Sequence, residues 1–322
     1  MNKREDIKKT YKLYIGGKFP RTESGRYIKW TDPKNTSTIN ICRGSRKDFR
    51  NSVVAARSAF SSWSSRTAYN RSQILYRIGE MLEGKRSQFM DELMLQGASK
   101  KTAEIEINRA IDRLIYYAGW ADKYQQIFSR VNPVALPYFN FSYTEPTGVV
   151  SAITPHDSSL IGLVSIIAPI IAGGNTVVLL ASEEKPLCSI TFAEVLHTSD
   201  VPGGVVNILT GKRSELLEHF SSHMDVNAIV YCGTDKDEIT LVQQNAALNV
   251  KHPVVYTDQD WMDNHADFLK FKIAAVKGVS VSAYKLGRDH MLEVLGLKTV
   301  GHSTVIQGDP IKPPKKNTAL AR

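Results

Sequence analysis

From Gly148 onward the chain is punctuated by five short β-rich runs: 149–153, 176–180, 205–209, 228–231 and 253–256, recurring at intervals of about 22 to 29 residues. Runs of four or five residues, dominated by Val, Ile and Leu, have strand length, and each interval leaves room for one helix. The runs are apolar throughout instead of at every second position, which is the pattern of strands buried on both faces. Buried strands alternating with helices predict a parallel sheet covered on both sides. An all-helical bundle and an antiparallel sandwich are thereby excluded for this half of the chain.

The fold class is therefore α/β, with a Rossmann-like, doubly wound parallel sheet of five strands over residues 148–260, preceded by a helical segment with hairpins. In the N-terminal arm, 1–45, Tyr11–Ile15 alternates like a strand, turns at Gly16-Gly17 and is answered by Arg26–Trp30, predicting a hairpin. Residues 46–130 predict three helices, Lys47–Trp63, Tyr69–Phe89 and Thr102–Phe128, from apolar stripes such as Phe49, Val53, Ala56 and Phe60. Pro133, Pro137 and Pro146 make 131–147 an irregular hairpin or connector. Beyond Asp260 the pattern weakens. Helices are expected at Phe268–Val276 and Arg288–Leu295 within 261–300, a remnant of or replacement for a further domain, and 301–322 is expected to be a mobile polar tail.

With 322 residues, 42% hydrophobic and 23% charged, the chain can bury a real core and is neither disordered, collagen-like nor a coiled coil. The three cysteines, Cys42, Cys188 and Cys232, share no metal-type spacing and are odd in number. Neither a disulfide framework nor a zinc site is read from them, and a reducing cytoplasm fits best. The start Met1-Asn2-Lys3-Arg4 leads into no apolar segment, and the longest apolar run, 160–172, is too short for a bilayer, which needs about 20 residues. No membrane association is expected. Residues 1–130 carry 26 Lys+Arg against 13 Asp+Glu, so the net charge of +9 sits in the front. A basic front admits nucleic acid as a partner, but the charges are interleaved along helical faces and no recognition motif accompanies them, which disfavours it.

Neither G-x-G-x-x-G nor G-x-x-x-x-G-K-[ST] occurs. What occurs instead is an ordered series: Glu145-Pro146-Thr147-Gly148-Val149-Val150, then Thr154-Pro155-His156-Asp157, then Ala172-Gly173-Gly174-Asn175-Thr176-Val177-Val178-Leu179-Leu180-Ala181-Ser182-Glu183, then Val201-Pro202-Gly203-Gly204-Val205-Val206-Asn207 with Gly211. This series resembles the cofactor-binding half of the NAD(P)-dependent aldehyde dehydrogenase superfamily, whose E-P-x-G-V-V, T-P-W-N, A-G-N-T-V-V-L-K-P-S-E and P-x-G-V-V-N segments follow in that order. Leu13–Lys18 and the Ala59-Phe60-Ser61-Ser62-Trp63 element resemble the family's opening strand and first helix, so the resemblance spans about residues 12–257.

The resemblance implies NAD or NADP as cofactor, with Thr154, Pro155, Glu183, Gly211, Gly233 and Thr234 as the positions that would meet it. It also implies a thiolate nucleophile, an oxyanion-holding asparagine and a general-base glutamate, and here the chain departs. Asp157 replaces the asparagine, and a carboxylate repels a developing oxyanion unless burial keeps it protonated. Leu180 replaces the ribose-binding lysine. Acidic residues Asp235, Asp237 and Glu238 follow Tyr231-Cys232-Gly233-Thr234, where pyrophosphate would be met and where the resemblance places a glycine near 237 or 238. Val254–Asp258 holds no glutamate, no cysteine follows Cys232, and the nearest match to the nucleophile segment, Gly278–Ala283, puts Val281 where the thiolate belongs. No catalytic set is intact.

Simpler roles compete at several positions. Cys232 at a strand end fits a small buried hydrophobe. Ser182 and Glu183 suit helix capping as well as ribose. His219 and His223 are spaced for a shared ligand but lack a third partner, so no metal is expected. His156 and Asp157 follow a strand, where a parallel sheet places its ligand crevice. The expectation is a shortened, non-catalytic subunit or scaffold, resembling the degenerate second unit of tandem-type aldehyde dehydrogenases. It would be a homo-oligomer or a hetero-oligomer with a complete aldehyde dehydrogenase. The alternatives are an NAD(P)-dependent aldehyde oxidoreductase, active alone or within a hetero-oligomer, and a nucleic-acid binder using the basic front.

Overall fold

The computed structural model describes residues 9–34, 38–128, 130–132, 140–257, 259–262 and 295–300. Two antiparallel strands, β1 (Tyr27–Thr31) and β2 (Thr38–Cys42), lead into helices α1 (Arg46–Ser64), α2 (Ala68–Gly84), α3 (Arg86–Leu95), α4 (Lys100–Trp120) and α5 (Tyr124–Phe128). Strands β3 (Arg130–Asn132) and β4 (Asn140–Pro146) follow. The remainder alternates: β5 (Val149–Ile153), α6 (Ile161–Ala172), β6 (Thr176–Leu180), α7 (Leu187–His197), β7 (Val206–Leu209), α8 (Arg213–Ser222), β8 (Ala228–Cys232), α9 (Lys236–Ala247) and β9 (His252–Tyr256). Strand β10 (Leu295–Val300) pairs antiparallel with β4.

The five alternating strands form one sheet in the order β7-β6-β5-β8-β9, parallel at every pairing. Strand order runs outward from β5 in both directions, which is the doubly wound arrangement expected from the sequence. The pleat sorts its side chains. Val150, Ala152, Val177, Leu179, Ile208 and Val230 join one apolar core with α2, α4, α6 and α7. Their neighbours Val149, Ile153, Val178, Leu180, Leu209 and Ile229 join a second with α1 and α8. Phe49 of α1 stacks on Phe220 of α8 with ring centroids 4.1 Å apart.

Helix α6 is buried at every position because it lies beneath α2 and α4 as well as against β6. The run 160–172 is therefore a core helix, and no helix among the described residues is long and apolar enough to cross a membrane. Its C-terminal carbonyls are held from the front of the chain: Trp63 Nε1 donates to the Ile171 carbonyl (3.1 Å) and Arg71 Nε to that of Ala172 (2.9 Å). Two buried side chains thus satisfy acceptors that the helix leaves open.

The N-terminal pairing differs from the sequence expectation. Tyr11–Ile15 and Arg26–Trp30 are not partners: the second pairs with Thr38–Cys42, while Tyr14 exchanges backbone hydrogen bonds with Ile208 (2.9 and 2.8 Å). The alternation of Tyr11–Ile15 reflects an added contact at the free edge of β7. The predicted helix Tyr69–Phe89 is two helices, since the chain turns at Gly84-Lys85, and the predicted Thr102–Phe128 breaks at 121–123. The expected helices at 268–276 and 288–295, Val281 and the tail 301–322 lie outside the described residues, apart from Leu295, which begins β10.

Candidate functional site

In a parallel sheet every strand points its carboxyl end the same way, and ligands bind in the crevice beyond those ends. Here the crevice is made by the loops after β5, β6, β8 and β9. It holds a cavity of about 510 Å³ lined by Pro155, His156, Asp157, Cys232, Gly233, Thr234, Tyr256, Thr257 and 259–261. A second of about 510 Å³ adjoins it on the α3–α4 side, where Gln96, Ser99, Glu106, Asp157 and Lys185 contribute. The fold brings Pro155, Asp157, Gly233 and Thr234 to one place.

The positions predicted to meet a cofactor are held as follows. Thr154 is buried and its hydroxyl donates to the Leu180 carbonyl (2.9 Å), tying β5 to β6. Pro155 packs on Gly162, at the first turn of α6. Glu183 accepts the backbone N–H of Arg213 at 3.0 Å, so it caps α8 from outside that helix. Ser182 donates to the His156 carbonyl (2.6 Å) and accepts from the Lys185 N–H (3.0 Å). Gly211 lies against Gly44, where a Cβ would meet the Gly44 nitrogen at 3.3 Å. Gly233 donates its N–H to the Tyr256 carbonyl, and Thr234 is exposed.

Asp157 is exposed at the rim of both cavities, and its backbone carbonyl accepts from Lys185 Nζ (2.6 Å). The burial that would hold a carboxyl protonated is not provided there. Cys42, Cys188 and Cys232 are all buried. Burial pushes the Cys232 thiol up; the Arg213 charge acts against this and the Asp157 charge adds to it. Burial also pushes up Cys188, and the Glu92 charge adds to the effect. A thiol so placed is a poor nucleophile at neutral pH. No cluster of three metal-ligating side chains occurs among the described residues.

The feature that sequence reasoning missed is an arginine. Arg213 opens α8, and its nearly buried guanidinium lies over the Tyr231 ring (4.6 Å), places Nε 2.7 Å from a Glu238 carboxylate oxygen and donates to the Cys232 carbonyl (3.0 Å). Tyr231 donates its hydroxyl to the same Glu238 oxygen (2.6 Å). Gly233 makes room for this: a Cβ there would meet Arg213 Nη2 at 2.6 Å and the Tyr231 hydroxyl at 2.9 Å. The signal available in the sequence is the acidic pair Asp237 and Glu238, near which the resemblance expects a glycine.

The aldehyde dehydrogenase family profile matches residues 19–256. The chain belongs to the aldehyde dehydrogenase family. It is 30% identical over 246 residues to the mitochondrial benzaldehyde dehydrogenase of Antirrhinum majus, covering 74% of this chain and 45% of that protein. The omega-crystallin of Enteroctopus dofleini is 29% identical over 255 residues, 78% of this chain and 51% of the relative. An NAD+ complex of an aldehyde dehydrogenase from Bacillus cereus superposes with a TM-score of 0.73 at 26% identity, over 77% of this chain and 51% of that one. The chain spans about half the length of the curated relatives it matches.

Proposed function

We propose that this aldehyde dehydrogenase family protein does not itself oxidise aldehydes and serves as a non-catalytic subunit, assembling with copies of itself or with a complete aldehyde dehydrogenase. The observation that carries the reading is the state of the crevice thiol. Cys232 is the cysteine that lines the described crevice, and it is buried, which pushes its thiol up and away from the thiolate form. Covalent catalysis through sulfur needs the thiolate. Asp157 supports the same reading, since it puts a carboxylate where a hydrogen-bond donor is needed, and loss of one oxyanion donor costs about 10² to 10³ in rate. Among the described residues, β1 and β3 are edge strands with one side unpaired by another strand, and such edges suit pairing with another subunit.

Purified protein incubated with NAD or NADP and a panel of aliphatic and aromatic aldehydes is expected to produce no NADH or NADPH. Steady production that Cys232→Ser abolishes overturns the proposal. Light scattering is expected to give a mass above that of one 35.9 kDa chain, alone or mixed with a complete aldehyde dehydrogenase. A monomer in both samples removes the subunit role.

A further inference from the structure

Four helices, α6, α7, α8 and α9, begin at the carboxyl ends of the parallel strands, so four sets of unpaired backbone N–H groups open toward the crevice. Such ends are ready-made sites for phosphate. In this chain at least one N–H at each of the four ends is already bonded to a side-chain oxygen of the protein. Glu106, reaching across from α4, accepts the N–H groups of Leu160 and Ile161 (3.0 Å each) at α6, and Ser158 accepts that of Gly162 (2.8 Å). Gln96 accepts the Leu187 N–H (3.0 Å) at α7. Glu183 accepts that of Arg213 (3.0 Å) at α8, and Asp235 those of Asp237 and Glu238 (2.9 and 3.1 Å) at α9.

Three of the four ends therefore carry a carboxylate in the place an anion would take, and a carboxylate both uses the N–H groups and cancels the positive end of the helix dipole. The nearly buried cation between α8 and α9 is engaged as well, because Arg213 is paired with Glu238 and stacked on Tyr231. The pairing with Glu238 is an ion-pair contact: neither Nε, 2.7 Å from the Glu238 oxygen, nor Nη1 has a hydrogen-bond partner among the described residues, so the guanidinium retains donor capacity that its own carboxylate partner does not use. Gly233, whose missing side chain would let a ligand approach the backbone, instead admits this guanidinium.

We infer that the helix ends beside the crevice, and not the crevice cavity itself, are closed to the pyrophosphate of a dinucleotide by the chain's own carboxylates, with the Arg213–Glu238–Tyr231 cluster and the Asp235 cap of α9 as the groups that take its place. NAD and NADP do not fit the residues present, and no chemical step is assigned through them. The inference deepens the non-catalytic reading and rests on it only for the family relationship: it concerns binding, whereas that reading concerns aldehyde oxidation.

Calorimetric titration of the full chain with NAD, NADP and inorganic pyrophosphate is expected to show no saturable binding up to about millimolar ligand. The double variant Asp235→Ser, Glu238→Gln keeps a cap oxygen at α9 and the shape at 238 but removes both charges. It is expected to bind pyrophosphate and NAD at least ten-fold more tightly than the natural chain, and adding Arg213→Met should abolish the gain. Should the double variant fail to fold, as judged by circular dichroism, Asp235→Ser alone is expected to gain at least three-fold. Low-micromolar NAD binding by the natural chain overturns the inference and leaves the non-catalytic reading standing if NADH is still not produced. A folded variant with no gain overturns it too.

Discussion

The body of the parallel sheet and its crevice end are built from the same strands but meet different requirements. In the body, β5, β6 and β8 are buried along their whole length, and any apolar residue of suitable size serves. At the crevice end the backbone has the same layout, yet the polar groups on the loops are bonded to one another. A fold survives many substitutions because apolar burial is non-directional. A binding site depends on a few donors and acceptors left free for the ligand, and here Glu183, Asp235, Glu238 and Arg213 make contacts within the protein.

If the body is what holds the chain together, its largest side chains should matter most. Trp63 is fully buried and joins α1 to the end of α6. Trp63→Ala is expected to cost about 3 to 5 kcal/mol, by the cavity it leaves and the lost hydrogen bond to the Ile171 carbonyl, which keeps the Gly174 N–H as a partner. Urea denaturation followed by circular dichroism measures this. A cost below about 1 kcal/mol would mean that the front helices are not anchored through this contact.

The two regions are also unequally legible. All five sheet strands can be read from their apolar runs because burial on both faces leaves a continuous signal in four or five adjacent residues. The family segments, from Glu145-Pro146 to Gly211, are equally local. The links that define the crevice are not local: Glu106 reaches Leu160, Glu183 reaches Arg213, and Arg213 reaches Glu238, each across tens of residues and with no periodicity. Tyr11–Ile15 shows the same limit for backbone pairing. Alternation announces a strand without naming its partner, and the partner is Ile208, far along the chain.

A charge inside the body tests the contrast from the other side. Glu92 of α3 is buried. Its Oε1 accepts from Tyr11 (2.8 Å) and Thr191 (2.6 Å), while Oε2 has no hydrogen-bond partner among the described residues. Burial raises its carboxyl above the usual range, against the opposing Lys9 charge. A raised folded-state value means that this group contributes its stability below the unfolded carboxylate range, and that the contribution is lost as pH rises through the folded value. Glu92→Gln keeps the acceptor for Tyr11 and Thr191 and removes the charge. The variant is expected to be more stable than the natural chain at pH 8, by on the order of 1 kcal/mol, with the difference shrinking toward pH 4. Urea midpoints across that range decide it; a variant less stable at pH 8 would show that Lys9 makes the charge worth keeping.

The smallest effect is expected at the crevice rim. Asp157 is exposed, and the hydrogen bond recorded for its loop is made by its backbone carbonyl with Lys185, so Asp157→Asn leaves that contact untouched. Stability should change by less than about 0.5 kcal/mol, the range of ordinary surface substitutions. The substitution also supplies the amide that the family resemblance expects at this position. Aldehyde oxidation should nevertheless stay absent, because an oxyanion donor acts only after a nucleophile has attacked, and the crevice cysteine remains buried, with its thiol pushed up by that burial. NADH absorbance with and without the substitution measures the outcome. If Asp157→Asn alone produced turnover, the block would have been one carboxylate at the rim, and the internally bonded polar groups behind it would have to be read as support for a working site.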